Sequence, residues 1–102
     1  MRIEWNQYKN RLNKAKHGVA FETASLVFED PEHLSIADRR EGYEERWQTM
    51  GLVQGVLILL VVHTVIDGEN TENEEIIRII SARKATKKER YCYEKKVTKK
   101  ES

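Results

Sequence analysis

Arginine gathers where an apolar run turns basic. The stretch Arg78-Ile79-Ile80-Ser81-Ala82-Arg83-Lys84-Ala85-Thr86-Lys87-Lys88-Glu89-Arg90-Tyr91 places guanidinium groups before, at and after that junction. Arginine binds phosphate bidentately and stays charged at any biological pH. A packed core gains nothing from such a cluster, whereas a phosphodiester would be held by it. Arg83 ends a predicted strand just before a predicted helix N-terminus, where backbone N–H groups also attract anions. It is the first choice for phosphate stabilisation; the competing role is an arginine that pairs with Glu89 or Glu45 and only braces the fold. Arg78 interrupts an apolar run, so it must find a partner or face a groove. Arg46, on a neighbouring predicted strand, is placed to face the same groove.

The positioning elements follow from periodicity. Arg2-Ile3-Glu4-Trp5 alternates and predicts a short strand. Asn6 N-caps a helix with Tyr8, Leu12 and Ala15 at helical spacing, Lys9, Arg11, Lys14 and Lys16 on its other faces, and Gly18 as its stop. A second helix over residues 21–28 puts Phe21, Ala24 and Phe28 on one face and ends at Asp30-Pro31. Residues 34–37 read as a strand and 39–42 as a turn. Residues 44–52 form a strand with Arg46 and Gln48 on one face and Glu45 and Trp47 on the other, and 51–55 a hairpin turn. Residues 56–64 are apolar on both faces, which places that strand centrally. A polar loop covers 67–73 and a further strand 75–82. Thr86 and Glu89 have capping-box spacing, so a helix starts there and runs to about Lys95. The expected fold class is α+β: an antiparallel sheet of four to five strands with two N-terminal helices and one C-terminal helix. Residues 1–95 form a single domain and 96–102 a basic, fraying tail.

Charge is segregated along these 102 residues. Residues 1–17 hold five Lys/Arg against one acid, 18–77 three against thirteen, and 78–102 ten against three. The two ends of the chain thus build a basic surface and the middle an acidic one; a merely solvated charged face is the alternative. Cys92 is the only cysteine, as in a protein of a reducing cytoplasm. His17, His33 and His63 are not spaced as metal ligands, and there is neither CxxC nor HExxH. No metal or other cofactor is therefore expected. The N-terminus lacks the apolar segment of a signal peptide, and the run 56–62 is too short to span a bilayer. No membrane association is expected.

Trp5-Asn6 with Asn13-Lys14-Ala15-Lys16-His17-Gly18-Val19-Ala20-Phe21-Glu22, then Ala24, Val27-Phe28, Asp30-Pro31, Glu45-Arg46-Trp47, Val62-His63-Thr64, the arginine-rich run 78–90 and Tyr93-Glu94 resemble the BrnT family of bacterial toxins. The matches span residues 3–94. The resemblance implies a RelE-like fold, a metal-independent ribonuclease that inhibits translation, and neutralisation by a BrnA-like ribbon-helix-helix antitoxin, through which alone the complex would touch DNA. One departure stands out. Many relatives carry an arginine within two residues of the His-Thr pair, whereas here Thr64 is followed by Val65-Ile66-Asp67. That puts catalysis in question. The alternative is a degenerate homologue serving as a corepressor subunit of the antitoxin–DNA complex; a plain RNA-binding domain without a partner is a third reading.

Metal-free RNA cleavage needs a base for the 2′-hydroxyl, cations for the phosphorane and an acid for the 5′-oxygen. Arg46, Arg78 and Arg83 are the cation candidates. Glu45 is a candidate base, or half of a structural ion pair. His63 titrates in the right range to be base or acid, unless it is a satisfied core histidine. Lys16 could touch RNA, although with His17 it also suits a helix C-terminus. Lys87, Lys88 and Arg90 oppose the dipole at a helix start, which a bound RNA or acidic antitoxin segment would resolve. Tyr91 or Tyr93 could stack on a base while the other enters the core, and Trp5 and Trp47 read as core.

Overall fold

The computed structural model describes residues 1–38, 45–67 and 74–101. Five strands form one sheet: β1 (Arg2–Glu4), β2 (Leu34–Asp38), β3 (Arg46–Val53), β4 (Leu57–Asp67) and β5 (Glu75–Lys84). Their order is β1-β5-β4-β3-β2, so β4 is central, as its two apolar faces require. β1 pairs parallel to β5 and the other neighbours are antiparallel. The sheet is therefore mixed rather than wholly antiparallel, because the chain after β1 passes through its N-terminal helices and three further strands before β5 lies beside it. The turn expected over 39–42 lies outside the described residues, as does most of the 67–73 loop.

One sheet face carries α1 (Gln7–His17), α2 (Phe21–Ala24) and a 3-10 turn (Ser25–Glu29); the other carries α3 (Lys87–Glu101). Strand alternation feeds two cores. Phe21, Ala24 and Val27 pack on Leu59, Val61, Ile79 and Ala82. On the opposite face Tyr93 of α3 packs with Met50, Ile58 and Leu60, joined by Leu34, Val62, Ala85 and Val97. The predicted single helix over 21–28 divides into α2 and the 3-10 turn, which lets Val27 press against Gly51 of β3. Gly51 itself is a strand residue. The hairpin turn falls on Gln54 and Gly55, both at positive φ, with Val56 N–H donating to Val53 O at 3.1 Å.

The caps of α1 are those expected: Asn6 Oδ1 accepts from Lys9 N–H, and Gly18 closes the helix at φ +73°. Its buried face is not. Tyr8 and Leu12 are exposed, and the inward residues are Asn10 and Asn13. Asn13 donates to Ala82 O and Val19 O, both at 2.8 Å, and accepts from Ala82 N–H at 3.1 Å. Asn10 Oδ1 accepts from Phe21 N–H at 2.8 Å. β1 pairs only with residues 76–78 of β5, so the edge of β5 beyond them needs other partners. An amide supplies both a donor and an acceptor to that edge; a leucine would leave buried polar groups unpaired, at a cost of about 1–3 kcal/mol each.

α3 is longer than its sequence suggests, continuing through residues 96–101 rather than fraying after Lys95. Tertiary contacts extend it. Lys96 Nζ donates to His33 O at 2.9 Å, Val97 joins the second core, and the Tyr93 hydroxyl donates to Asp30 Oδ2. Asp30 also accepts from Leu52 N–H and Glu32 N–H. Burial raises the Asp30 pKa, but these donors outweigh it and hold the carboxyl below its ordinary value. Burial, then the Asp30 partnership, pushes the Tyr93 phenol up. The tyrosine of this pair that enters the core is thus Tyr93, while Tyr91 is exposed.

Candidate functional site

Register, more than sequence, assembles the site. Glu4 pairs with Arg78, Arg78 with Thr64, Thr64 with Arg46, and Arg46 with Asp38. Directly paired residues share a sheet face, so one residue from every strand forms a single row across the sheet. It lies on the face that bears α3, since Leu60 and Val62, which alternate with Thr64 along β4, belong to the α3-side core. Two arginines therefore stand on either side of a threonine, about 10 Å apart between Cα atoms at the usual strand spacing. An oxyanion between their arms would be met from both sides.

Each end of the row carries a carboxylate. Glu4 Oε1 accepts from Arg78 Nη2 at 3.1 Å and from Nε at 3.3 Å. That pair is surface-exposed, with 61% of the Arg78 side chain open to solvent, so breaking it costs little. Hydrogen bonds from Arg78 lower the Glu4 pKa, against a smaller effect of burial. At the other end Asp38 Oδ2 accepts from Gln48 Nε2 at 2.9 Å. Thr64 is buried, and its hydroxyl has no hydrogen-bond partner among the described residues. Sequence reasoning left Thr64 and Gln48 out of the site, because only the strand register puts them beside the arginines.

Arg83 shares the face but not the row. It pairs with Leu60, four residues along β4 from Thr64, or about 13 Å at 3.3 Å per residue. Its guanidinium grips Glu89 in a two-point contact, Nη1 to Oε1 at 2.7 Å and Nη2 to Oε2 at 2.9 Å. Glu89 also closes the predicted capping box: its Oε1 accepts from Thr86 N–H at 2.8 Å and its N–H donates to Thr86 Oγ1 at 3.2 Å. The bracing role foreseen as the alternative for Arg83 is therefore real. The Arg83 side chain as a whole is still 37% exposed.

The Arg83 hydrogen bonds hold the Glu89 carboxyl at about 2, below the ordinary 4.5. A depressed carboxylate stabilises the fold fully above its ordinary pKa and loses that contribution as pH falls through 4.5 toward 2. After allowance for solvent screening of this partly exposed pair, it contributes about 1–2 kcal/mol. Urea denaturation at pH 6, 4 and 2 should show that loss, and Glu89→Gln should flatten it. An equally steep acid limb in the variant would show that other carboxylates carry it.

His63 does not reach the row. It lies on the opposite face, 3% exposed, edge-on to Phe28, with Nε2 2.7 Å from Thr49 Oγ1. Desolvation lowers its pKa, so at neutral pH it is an uncharged core group. It is withdrawn as acid or base, for the alternation along β4 that turns Thr64 toward the row turns its neighbour away. Glu45 is exposed at the start of β3, next to Arg46. Lys87, Lys88, Arg90 and Tyr91 are exposed along the start of α3, and Lys95 Nζ stands 6.0 Å from the Tyr91 ring centroid. Lys16 is exposed in the last turn of α1, which lies along the β5 edge rather than on the α3 face. Trp5 packs edge-on to Phe21. Among the described residues no three His, Cys, Asp or Glu side chains converge as a metal site, and no helix is long and apolar enough to cross a membrane.

Fold and site together define a small α+β protein in which two arginines flank a buried threonine on one sheet face, with a lysine- and arginine-rich helix beside them. The sequence matches the model of the family described as ribonuclease toxin, BrnT, of type II toxin-antitoxin system, over residues 5–89. The chain belongs to that family. Its fold is similar to the crystal structure of the Brucella abortus ribonuclease toxin BrnT: the TM-score is 0.59 at 24% identity, covering 85% of this chain and 99% of that one. Among curated proteins none matches the chain.

Proposed function

We propose that this chain cleaves RNA without a metal ion, and that the Arg46–Thr64–Arg78 row holds the scissile phosphate. The observation that carries this reading is the register that sets the two arginines on either side of Thr64 on one sheet face. The attacking 2′-hydroxyl belongs to the substrate, so the protein's contribution is alignment and charge. The two guanidiniums bind the phosphate and stabilise the developing phosphorane. Of the two base candidates only Glu45 stays at the surface, just ahead of β3 and so outside that strand's alternation; it is the group assigned to take the 2′-proton, and the leaving 5′-oxygen takes its proton from water. Arg83 fixes the start of α3, and Lys87, Lys88, Arg90 and Tyr91 guide the flanking RNA. Lys16, on another side, is a weaker contact. Neutralisation falls to an antitoxin, of the BrnA-like ribbon-helix-helix kind; DNA is reached only through it, and the setting is cytoplasmic.

The test is a cleavage assay on single-stranded RNA in EDTA, run beside growth of cells expressing the chain alone or with its neighbouring gene. Cutting that persists in EDTA, with toxicity relieved by the neighbour, is the expected result. Cutting that vanishes in EDTA would refute the metal-free route. A chain that never cuts, yet tightens antitoxin binding to operator DNA, would be the corepressor subunit instead.

A further inference from the structure

A groove opens between α3 and the edge of the sheet. Leu34 and Ile36 of β2, Met50 of β3 and Leu60 of β4 line it, with Lys88 and Cys92 of α3 above them. Its volume is about 310 Å³, at the small end of the range for sites that enclose a ligand. β2 is the outermost strand on this side, so among the described residues no further strand closes the mouth. Ile36 is 53% exposed.

We infer that this groove seats an apolar side chain from an acidic segment of the antitoxin. The inference rests on the toxin reading above, whose family supplies a partner but not its place. Two features select the occupant. The four floor residues are aliphatic and none of the lining is aromatic, whereas single-stranded RNA is gripped by stacking its bases on rings. An aliphatic slot suits a leucine-like or aromatic anchor of a protein partner. The α3 side is basic: Lys88 lines the groove beside Glu89, whose carboxylate is taken by Arg83, and Lys87 and Arg90 are exposed along the same first turns of α3, beside a helix N-terminus that itself favours anions. An apolar anchor flanked by Asp or Glu matches both features. Seated there, the segment would lie against Lys88 and next to Arg83, excluding RNA from the helix that guides it.

Cys92 makes the test direct, because it is exposed, lines the groove and is the only thiol in the chain. The intact toxin is treated with N-ethylmaleimide, alone, with the antitoxin encoded beside it, or with a single-stranded RNA oligonucleotide. The antitoxin should slow modification by about tenfold or more; RNA, which by the reading above runs over Lys88, serves only as a comparison. Equal rates with and without antitoxin would overturn the inference. Ile36→Asp, at an exposed position, should weaken antitoxin affinity by about a hundredfold and leave RNA cutting in place, while Ile36→Val should keep the affinity. Unchanged affinity in a folded Ile36→Asp variant would show that the partner covers the groove without entering it, and would also overturn the inference. The labelling arm uses the unmodified chain, so it stands even if that variant misfolds. A toxin that cuts no RNA but is protected by antitoxin would sink the nuclease reading and leave the groove assignment intact.

Discussion

Arg46→Ala and Arg78→Ala should each reduce RNA cleavage by about 10²–10³-fold, the loss typical when a preorganised charge-stabilising donor is removed. Neither change should disturb folding. Arg78 is largely solvent-exposed, and its pairing with Glu4 is a surface contact, the kind that contributes little to stability. The Cα atoms of the two residues flank Thr64, so a phosphate bound between them loses one of two opposed cations in either variant. The double variant should be worse than each single one, by less than the product of their effects, if both arginines bind one phosphate. Arg83→Ala makes the contrast. It strands the Glu89 carboxylate, which Arg83 holds at about 2, so it should lower stability by about 1–2 kcal/mol together with activity. Cleavage rates and urea denaturation on the same preparations separate the two roles. If Arg83→Ala abolishes cutting with stability intact while Arg46→Ala and Arg78→Ala cut normally, the phosphate seat lies at the start of α3 and not in the cross-strand row.

Gly51→Ala should be the most damaging small substitution in the sheet. A Cβ at that position would lie 2.7 Å from Val27 O, 2.8 Å from its Cβ and 2.9 Å from its Cα. Two of those atoms are backbone, so no rotamer change relieves the clash. The 3-10 turn must move bodily, and it carries Val27, fully buried in the first core, and Phe28, which covers His63. A cost of about 3 kcal/mol is expected, at the upper end for overpacking, and Gly51→Val should cost more. At about 4–8 °C per kcal/mol for a domain of this size, the melting temperature should fall by roughly 12–24 °C. Gly55→Ala is the control: its added Cβ meets nothing within 4 Å and only the φ of +70° opposes it, so a loss of about 1 kcal/mol is expected. Thermal melts followed by circular dichroism decide it; equal melting temperatures for Gly51→Ala and the native chain would mean the 3-10 turn is free to shift.

Local signals in the sequence were sufficient for elements whose ends are fixed by chemistry within a few residues. Asn6 and Gly18 bound α1, Thr86 and Glu89 start α3, and the doubly apolar β4 lies at the centre of the sheet. The charge segregation was only partly informative: the basic last segment supplies the exposed start of α3, but α1 carries its cations on the other side of the sheet, so the two chain ends do not build one surface. Periodicity failed for α1, where Tyr8 and Leu12 face solvent and two asparagines face inward. The β5 edge needed hydrogen-bonding partners there, and the spacing of apolar residues along one helix does not register a demand made by another element. The length of α3 was likewise set by remote contacts, from Asp30 and His33, against a weak intrinsic pattern.

The sequence by itself determined the inventory: which residues bear charge, which segments are strand or helix, and the family to which they belong. Tertiary structure decided the assignment of roles. Alternation along β4 sends His63 into the core and Thr64 toward the arginines, although the two are adjacent in the chain. Register then joins Arg46 to Arg78 and sets Arg83 apart, bound to Glu89. Side-chain direction reverses at every residue of a strand, and a partner strand's register is fixed only by long-range pairing, so neither can be read from spacing along one chain.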